Sequence, residues 1–306
     1  MNCIICAIAK LENEYVYEWA EYHLSLGFST IHIFDNNDID GEKIADVFKG
    51  TECESRVIIH DVRGQRFVQK KVYQDCYDKE DFDWCAFLDI DEFITFSKLS
   101  TVNNINDFLK DKQNWEAIHL NWMCFGDCGM VHNNHKNVLE RFKSPKKPLD
   151  FHYTYLNRPE NEHIKSIIQK GLIIDWCKDD NSYSSNPHTP YGLTKVCDPR
   201  GIQVNNSPFS SICHDVAYIR HFSTKTIEEY DVKVYRQCAD CNNLTFYSFT
   251  KFFRLNKPTI NKILWVRRNH PEIIIRTCFK EFIKYTILNY NLPFRFLFKS
   301  LNHTLL

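Results

Sequence analysis

No stretch of the 306 residues approaches the run of about eighteen apolar side chains that a membrane-crossing helix needs. Glycine-rich phosphate loops are missing as well. With neither G-x-G-x-x-G nor a P-loop present, a diphosphate would have to be held by side chains and a metal. No excess of one charge exists: 38 Lys and Arg stand against 39 Asp and Glu, for a net charge of -1. That balance gives no reason to expect nucleic-acid binding. The segment Met1–Lys10 has no basic leader and no cleavage region, so a secretory signal is not expected. Cysteine is plentiful, but 13 is an odd number and the residues follow no framework spacing. Reduced thiols in a cytoplasmic protein are expected rather than a disulfide scaffold. The pairs Cys3/Cys6, Cys124/Cys128 and Cys238/Cys241 do not form one four-ligand zinc set.

What is present is enough apolar matter for a sizeable core, since 43% of residues are hydrophobic and 14% aromatic. The chain opens with a continuous apolar run, Cys3 to Ala9, read as a buried strand. Helical spacing follows over Tyr15 to Leu26, with Val16, Trp19, Ala20, His23 and Leu24 on adjoining faces and Gly27 as the stop. Thr30 to Phe34 reads as a second strand, Lys43 to Phe48 as a helix and Arg56 to His60 as a third strand. A helix over Gln65 to Tyr77 then leads to a fourth strand at Cys85 to Leu88. Strands alternating with helices predict an α/β fold with a mostly parallel sheet flanked by helices.

The most informative stretch ends that fourth strand. Trp84-Cys85-Ala86-Phe87-Leu88 is apolar, and Asp89, Asp91 and Glu92 follow at once. Ligands of open α/β sheets bind outside the carboxyl ends of strands. On an extended chain Asp89 and Asp91 would project to the same side. Two hard oxygen donors there suit Mg²⁺ or Mn²⁺ bridged to a diphosphate.

Several short pieces then fall in register with one known group. They are Glu12-Asn13-Glu14, Glu18 to Leu24 with Gly27, Ile33 to Asn37, Gln69…Tyr73…Cys76 and Trp84 to Phe93. Asn121-Trp122…Phe125-Gly126…Gly129, Leu139 to Phe142, Lys165 to Ile167 and Ile219 to Tyr230 continue the series. Together they span roughly residues 2 to 240, and the chain resembles the GT-A glycosyltransferases of the family 2-like and family 92 (DUF23-type) group. The resemblance implies a Rossmann-like GT-A domain over 1–226, with a donor half of about 1–95 and an acceptor half of about 96–226. It also implies a nucleotide-sugar donor, UDP-linked by preference, and a divalent metal, Mn²⁺ or Mg²⁺. At the donor it implies Ala7, Lys10, Glu14, Asp35, Asn36, Gln69, Tyr73 and Asp89, with Lys165 and Lys225 set against phosphate charge. Metal ligation falls to Asp91 and Asp89, completed by His221 or, as its rival, His188. Gln69 and Tyr73 lie four apart on one helical face, so packing under the metal-bearing strand is an equally simple role for them.

Transfer of a sugar needs a carboxylate to take the proton of the attacking hydroxyl. Glu140, beside Arg141, and Asp127, which follows Trp122 and Phe125, are the two bases considered, with Asp215 as an outsider. A single base without a covalent nucleophile fits inversion at the anomeric carbon. Asp127 stands where relatives carry a small hydroxyl residue, and the polar stretch from Asp175 to Pro187 reads as an inserted loop near the acceptor.

From Ile227 onward a helical C-terminal extension, 227–306, is expected, with Tyr230, Val234, Cys238 and Cys241 on one face. Residues 271 to 306 hold five Lys or Arg, two Glu and seven Phe or Tyr. Such a basic, aromatic tail fits either a membrane surface or a second copy of the chain. A peripheral position on the inner membrane face would suit a lipid-linked oligosaccharide or other glycan acceptor. The competing functions are a sugar-phosphate nucleotidyltransferase and a non-catalytic carbohydrate-binding relic. The first normally needs a glycine-rich basic loop where this chain has Lys10-Leu11-Glu12-Asn13-Glu14, and the intact acidic residues argue against the second.

Overall fold

The computed structural model describes residues 1–145, 152–153, 158–178, 187–236, 248–256 and 259–270. It divides into two compact units. The first comprises Met1–Phe125 and Asn137–Ser223, and the second Gly126–Lys136 with the described residues from Thr224 onward.

The first unit is an α/β sheet domain, as expected. Its strands are β1 (Cys3–Ala9), β2 (Thr30–Asp35), β3 (Val57–Asp61), β4 (Trp84–Asp89), β5 (Glu92–Phe96) and β6 (Ala117–Cys124). They continue with β7 (His152–Tyr153), β8 (Arg158–Pro159), β9 (Ile164–Gln169), β10 (Val196–Cys197), β11 (Gln203–Val204) and β12 (Ala217–His221). Its helices are α1 (Asn13–Ser25), α2 (Ile44–Phe48), α3 (Gln69–Lys79), α4 (Ile105–Leu109) and α5 (Val138–Arg141). The main sheet runs β11-β10-β6-β9-β4-β1-β2-β3, with β12 joined to β5 and β6, while β7 and β8 pair separately.

Strand β1 is buried along its whole length and pairs in parallel with both β2 and β4. A strand covered on both faces has to be apolar throughout, which is why it reads as one run. The parallel register sets Ile8 beside Asp89, Ala9 beside Asp35, and Asp35 beside Asp61. Three strand-end carboxylates therefore line one edge of the sheet. Between β4 and β6 the antiparallel β9 is inserted, which makes the sheet mixed.

Helix α1 buries Val16, Trp19, Ala20, His23 and Leu24, the face its spacing implied, and Gly27 after it adopts φ +95°. That left-handed conformation is open to glycine at no steric cost. Helix α3 buries Gln69, Val72, Tyr73, Cys76 and Tyr77 against the sheet. It starts at Gln69, four residues later than the spacing implied. Gly64 at φ +73° and Phe67 at φ +56° break the helical path, and the Asn36 amide binds the carbonyls of Val62 and Gln65. The core beneath α3 includes Phe34, Phe82, Phe87 and Trp176. Each such side chain contributes roughly 1.5–3 kcal/mol when fully buried.

The second unit holds α6 (Ile227–Arg236), α7 (Phe249–Leu255) and α8 (Ile260–Asn269). Thr226 and Glu229 cap the start of α6 reciprocally: the Glu229 carboxylate accepts from the Thr226 N–H, and the Thr226 hydroxyl oxygen accepts from the Glu229 N–H. Ile227, Tyr230, Phe252 and Val266 pack into the core of this unit. Cys238 and Cys241 of the expected helical face, the basic tail 271–306 and most of the expected acceptor loop lie outside the described residues. Among the described residues no helix is long and apolar enough to cross a membrane.

Candidate functional site

Strand β4 ends at Asp89, the chain turns at Ile90 and Asp91, and β5 begins at Glu92. The alternation argument therefore fails for this pair, because Asp91 sits in a tight turn rather than on an extended chain. The two carboxylates are positioned by different neighbours. The Asp91 carbonyl accepts from the Phe222 N–H, and its Oδ1 lies 3.6 Å from His221 Nε2 at the end of β12. Pairing of β12 with β5 sets His221 opposite Glu92, so strand register creates this contact across 130 residues of sequence.

Asp89 accepts from Gln69 Nε2 at 3.0 Å on one oxygen and from Lys165 Nζ at 2.8 Å on the other. Gln69 Nε2 also donates to the buried Tyr73 hydroxyl, so the face shared by these two residues supports the β4 end as well as packing beneath it. Lys165 is 1% exposed and also lies 3.4 Å from Glu92 Oε2, the same oxygen that accepts the Asp89 N–H. Burial alone would discharge the amine, but Asp89 and Glu92 outweigh it and hold the Lys165 pKa above the ordinary lysine value. Burial pushes the fully enclosed Glu92 carboxyl well above the usual carboxylate range, with Asp89 and Asp91 adding to it against the pull of Lys165. Asp89 is thus the counter-ion of Lys165, and Glu92 is displaced toward its neutral form. Lys165 was expected to face phosphate; its ammonium instead binds the carboxylates of the site.

The ring of Trp122 on β6 brings three histidines together. Its centroid lies 4.0 Å from that of His221, 4.6 Å from His163 and 5.2 Å from His188. Nδ1–H of His188 donates to the Ile164 carbonyl, which fixes a tautomer with the lone pair on Nε2. Burial, with Lys165 assisting, pushes the His188 imidazole well below its usual value. Both histidines considered as metal ligands therefore stand against one indole, with His221 the one that meets Asp91. His163 and Trp122 carried no signal as partners, because their meeting depends on the β6–β9 register.

The remaining expected residues are dispersed. Asp35 is buried and accepts the N–H groups of Asn37 and Ile44, while the Asn36 amide donates to two loop carbonyls. Both hold the turn after β2. Ala7 is fully buried in β1; Lys10 lies 3.5 Å from Asp38; Glu14 is exposed in the first turn of α1. Lys225 belongs to the second unit, where it is buried at φ +47°. Asp127 also belongs to the second unit. It is ion-paired with the fully buried Lys262, and its N–H donates to Asn256.

Glu140 is exposed on the single turn α5. The Glu18 carboxylate, from α1, accepts the N–H groups of Val138 and Leu139 at 2.7 and 3.1 Å and so fixes the start of that turn. Arg141 is buried with its guanidinium 4.7 Å over Phe142. Phe142 packs on Phe222, the neighbour of His221, which also meets Phe93 and Phe125. The turn bearing Glu140 is thereby anchored to the strand end that carries His221.

Residues 4–174 match the family model described as glycosyltransferase family 92. A family 92 protein of Oryza sativa subsp. japonica is 25% identical over 171 residues, covering 55% of this chain and 27% of that protein. One from Ricinus communis is 26% identical over 191 residues, covering 56% of this chain and 34% of that protein. The chain thus spans about a third or less of the length of these relatives. Among solved structures, S. aureus TarS 1-349 in complex with UDP-GlcNAc is 8% identical with a TM-score of 0.40, covering 94% of this chain and 73% of that one. HddC from Yersinia pseudotuberculosis is 10% identical with a TM-score of 0.32, covering 81% of this chain and 87% of that one. With more than half of its length matched by the family model, including the strand that ends in Asp89 and the turn at Asp91, this chain belongs to glycosyltransferase family 92.

Proposed function

We propose that the chain transfers a hexose, galactose by preference, from a UDP-sugar to a glycan or lipid-linked oligosaccharide acceptor, with inversion and with a divalent metal. The observation that carries this reading is the meeting of Asp91 and His221, 3.6 Å apart, beside Asp89 at the carboxyl end of β4. Two carboxylates and an imidazole form a donor set suited to Mn²⁺, and Mg²⁺ is served by the same oxygens. Asp91 and His221 would hold the ion, with Asp89 turned toward it or the ribose. The bound ion would supply Lewis-acid stabilisation of the departing diphosphate.

The chain's own residues do the rest. Lys165 binds one oxygen of Asp89 from within the protein, and Gln69 binds the other, which fixes the orientation of the carboxylate. Preorganised in this way, Asp89 needs little rearrangement when the donor arrives. Glu140 takes the proton of the acceptor hydroxyl, being a solvent-reachable carboxylate on a turn anchored beside His221. Asp127 is the weaker candidate, because its carboxylate is already engaged by the fully buried Lys262 ammonium. Surface polysaccharide or lipooligosaccharide assembly at a membrane face is the setting this chemistry suits.

Calorimetric titration of UDP with and without Mn²⁺, on the native chain and on Asp91→Ala, tests the donor site. Manganese-dependent binding that disappears in the variant is the expected result. Absence of UDP binding to the native chain in the presence of Mn²⁺ would remove the UDP-sugar reading.

A further inference from the structure

A second group of ligating side chains lies in the first unit, on elements that carry none of the residues discussed as metal ligands above. His32 on β2, His60 on β3 and Glu80, the residue that ends α3, each offer one donor atom, and all three atoms lie within 4.8 Å of one another. We propose that His32, His60 and Glu80 form a zinc-type metal site that clamps β2, β3 and the end of α3 together.

The distances suit an ion. His32 Nδ1 lies 3.1 Å from His60 Nε2 and 3.7 Å from Glu80 Oε2. A tetrahedral ion with Zn–N bonds of about 2.0–2.1 Å holds its ligand atoms roughly 3.3 Å apart, so the two distances from His32 lie within tenths of an ångström of coordination, while the His60–Glu80 pair, within 4.8 Å, closes by a turn of the Glu80 side chain. The donor chemistry is two imidazoles and one carboxylate. This set favours Zn²⁺ and its neighbours over Mg²⁺ or Ca²⁺, which prefer all-oxygen shells. It leaves a fourth position for water. Access fits as well: His32 is buried at the back, while His60 and Glu80 are only partly covered and open a route from the surface.

The surroundings support rigid ligands. Phe34 stacks on the His60 ring at 4.4 Å with planes 13° apart, which restricts that ring. Spacing in the sequence hides all of this, since the three ligands are 28 and 20 residues apart. The β2–β3 register, with His32 beside Ile58 and His60 beside Phe34, turns both imidazoles to one side of the sheet. The 3.1 Å contact is also a sound hydrogen bond between the two rings, and a metal would replace it.

Titration of the full chain with Zn²⁺ alone, without nucleotide, tests the site, run beside His60→Asn, Glu80→Gln and Asp91→Asn. The expected result is a bound Zn²⁺ equivalent that persists in Asp91→Asn and binds at least about tenfold more weakly in the other two. Equal affinity in all four chains, or loss confined to Asp91→Asn, would overturn the proposal. A measurement independent of any variant is the visible spectrum with Co²⁺ in place of Zn²⁺. Tetrahedral bands from nitrogen and oxygen ligands are expected, whereas thiolate charge-transfer bands alone or an octahedral spectrum would equally overturn it.

Discussion

Lys165 decides more at the residue scale than any acidic neighbour, because it is the buried cation on which Asp89 and Glu92 converge. Removing one partner of a buried charge pair leaves the other uncompensated, at a cost of about 3–5 kcal/mol. Lys165→Met should lower unfolding stability by less than this in urea titrations, because the Asp89 side chain is 37% exposed and Glu92 is displaced toward its neutral form, and should weaken Mn²⁺-dependent UDP binding as Asp89 loses its orientation. Glu140 is a different case, being exposed on its turn. Glu140→Gln should reduce kcat by about 10²–10⁴-fold while UDP affinity is retained, measured by donor turnover and by calorimetry. Asp89 and Asp91 were legible in the sequence because an apolar run stops at them. The partnership of Asp89 with Lys165 was not, since 76 residues separate the two and only the β4–β9–β6 pairing joins them.

Among the elements, α1 shows how a helix is tied to a strand through one neutral imidazole. Nδ1–H of His23 donates to the Trp19 carbonyl, and Nε2 accepts the Ile94 N–H of β5. A proton on Nε2 would break the second bond. Burial, with Arg220 assisting and the Trp19 carbonyl opposing, lowers the His23 pKa to about 3. The folded value lies below the unfolded one, so the stabilisation is fully present above pH ~6.5 and is lost as pH falls toward 3. Unfolding free energy should decline by up to ~1.4 kcal/mol per pH unit from this group across that window. His23→Gln should be less stable at pH 7 but show a shallower acid limb in denaturation followed against pH. The buried face of α1 was readable from spacing alone. The start of α3 was not, because the amide of Asn36, from the turn after β2, holds the residues before it out of the helix.

For the whole molecule, the two units assign separate tasks to residues that the sequence set side by side. Asp127 and Glu140 are 13 positions apart, yet Asp127 is counted with α7 and α8, where Lys262 and Asn256 engage it. Lys262→Met should destabilise the chain by about 3–5 kcal/mol, as loss of a buried partner does, and still leave Mn²⁺-dependent UDP binding intact. Thermal unfolding and calorimetry on one preparation would check both halves of that statement. The α/β class, the alternation of strands and helices up to Asp89 and the acidic strand end could be read without coordinates, whereas β5 directly after the turn could not. Unit membership could not, because the second unit draws Gly126–Lys136 out of the middle of the first and nothing in composition marks the excursion.

Helix α5 has four residues, far fewer than the roughly 12–15 that sustain a helix alone in water. It exists because Glu18, 120 residues earlier, supplies its cap. In the order of events during synthesis, the turn bearing Glu140 waits for a docking surface completed long before it. On the proposed reading, Glu18→Ala should then lower turnover while Mn²⁺-dependent UDP binding is retained, measured by donor turnover and calorimetry.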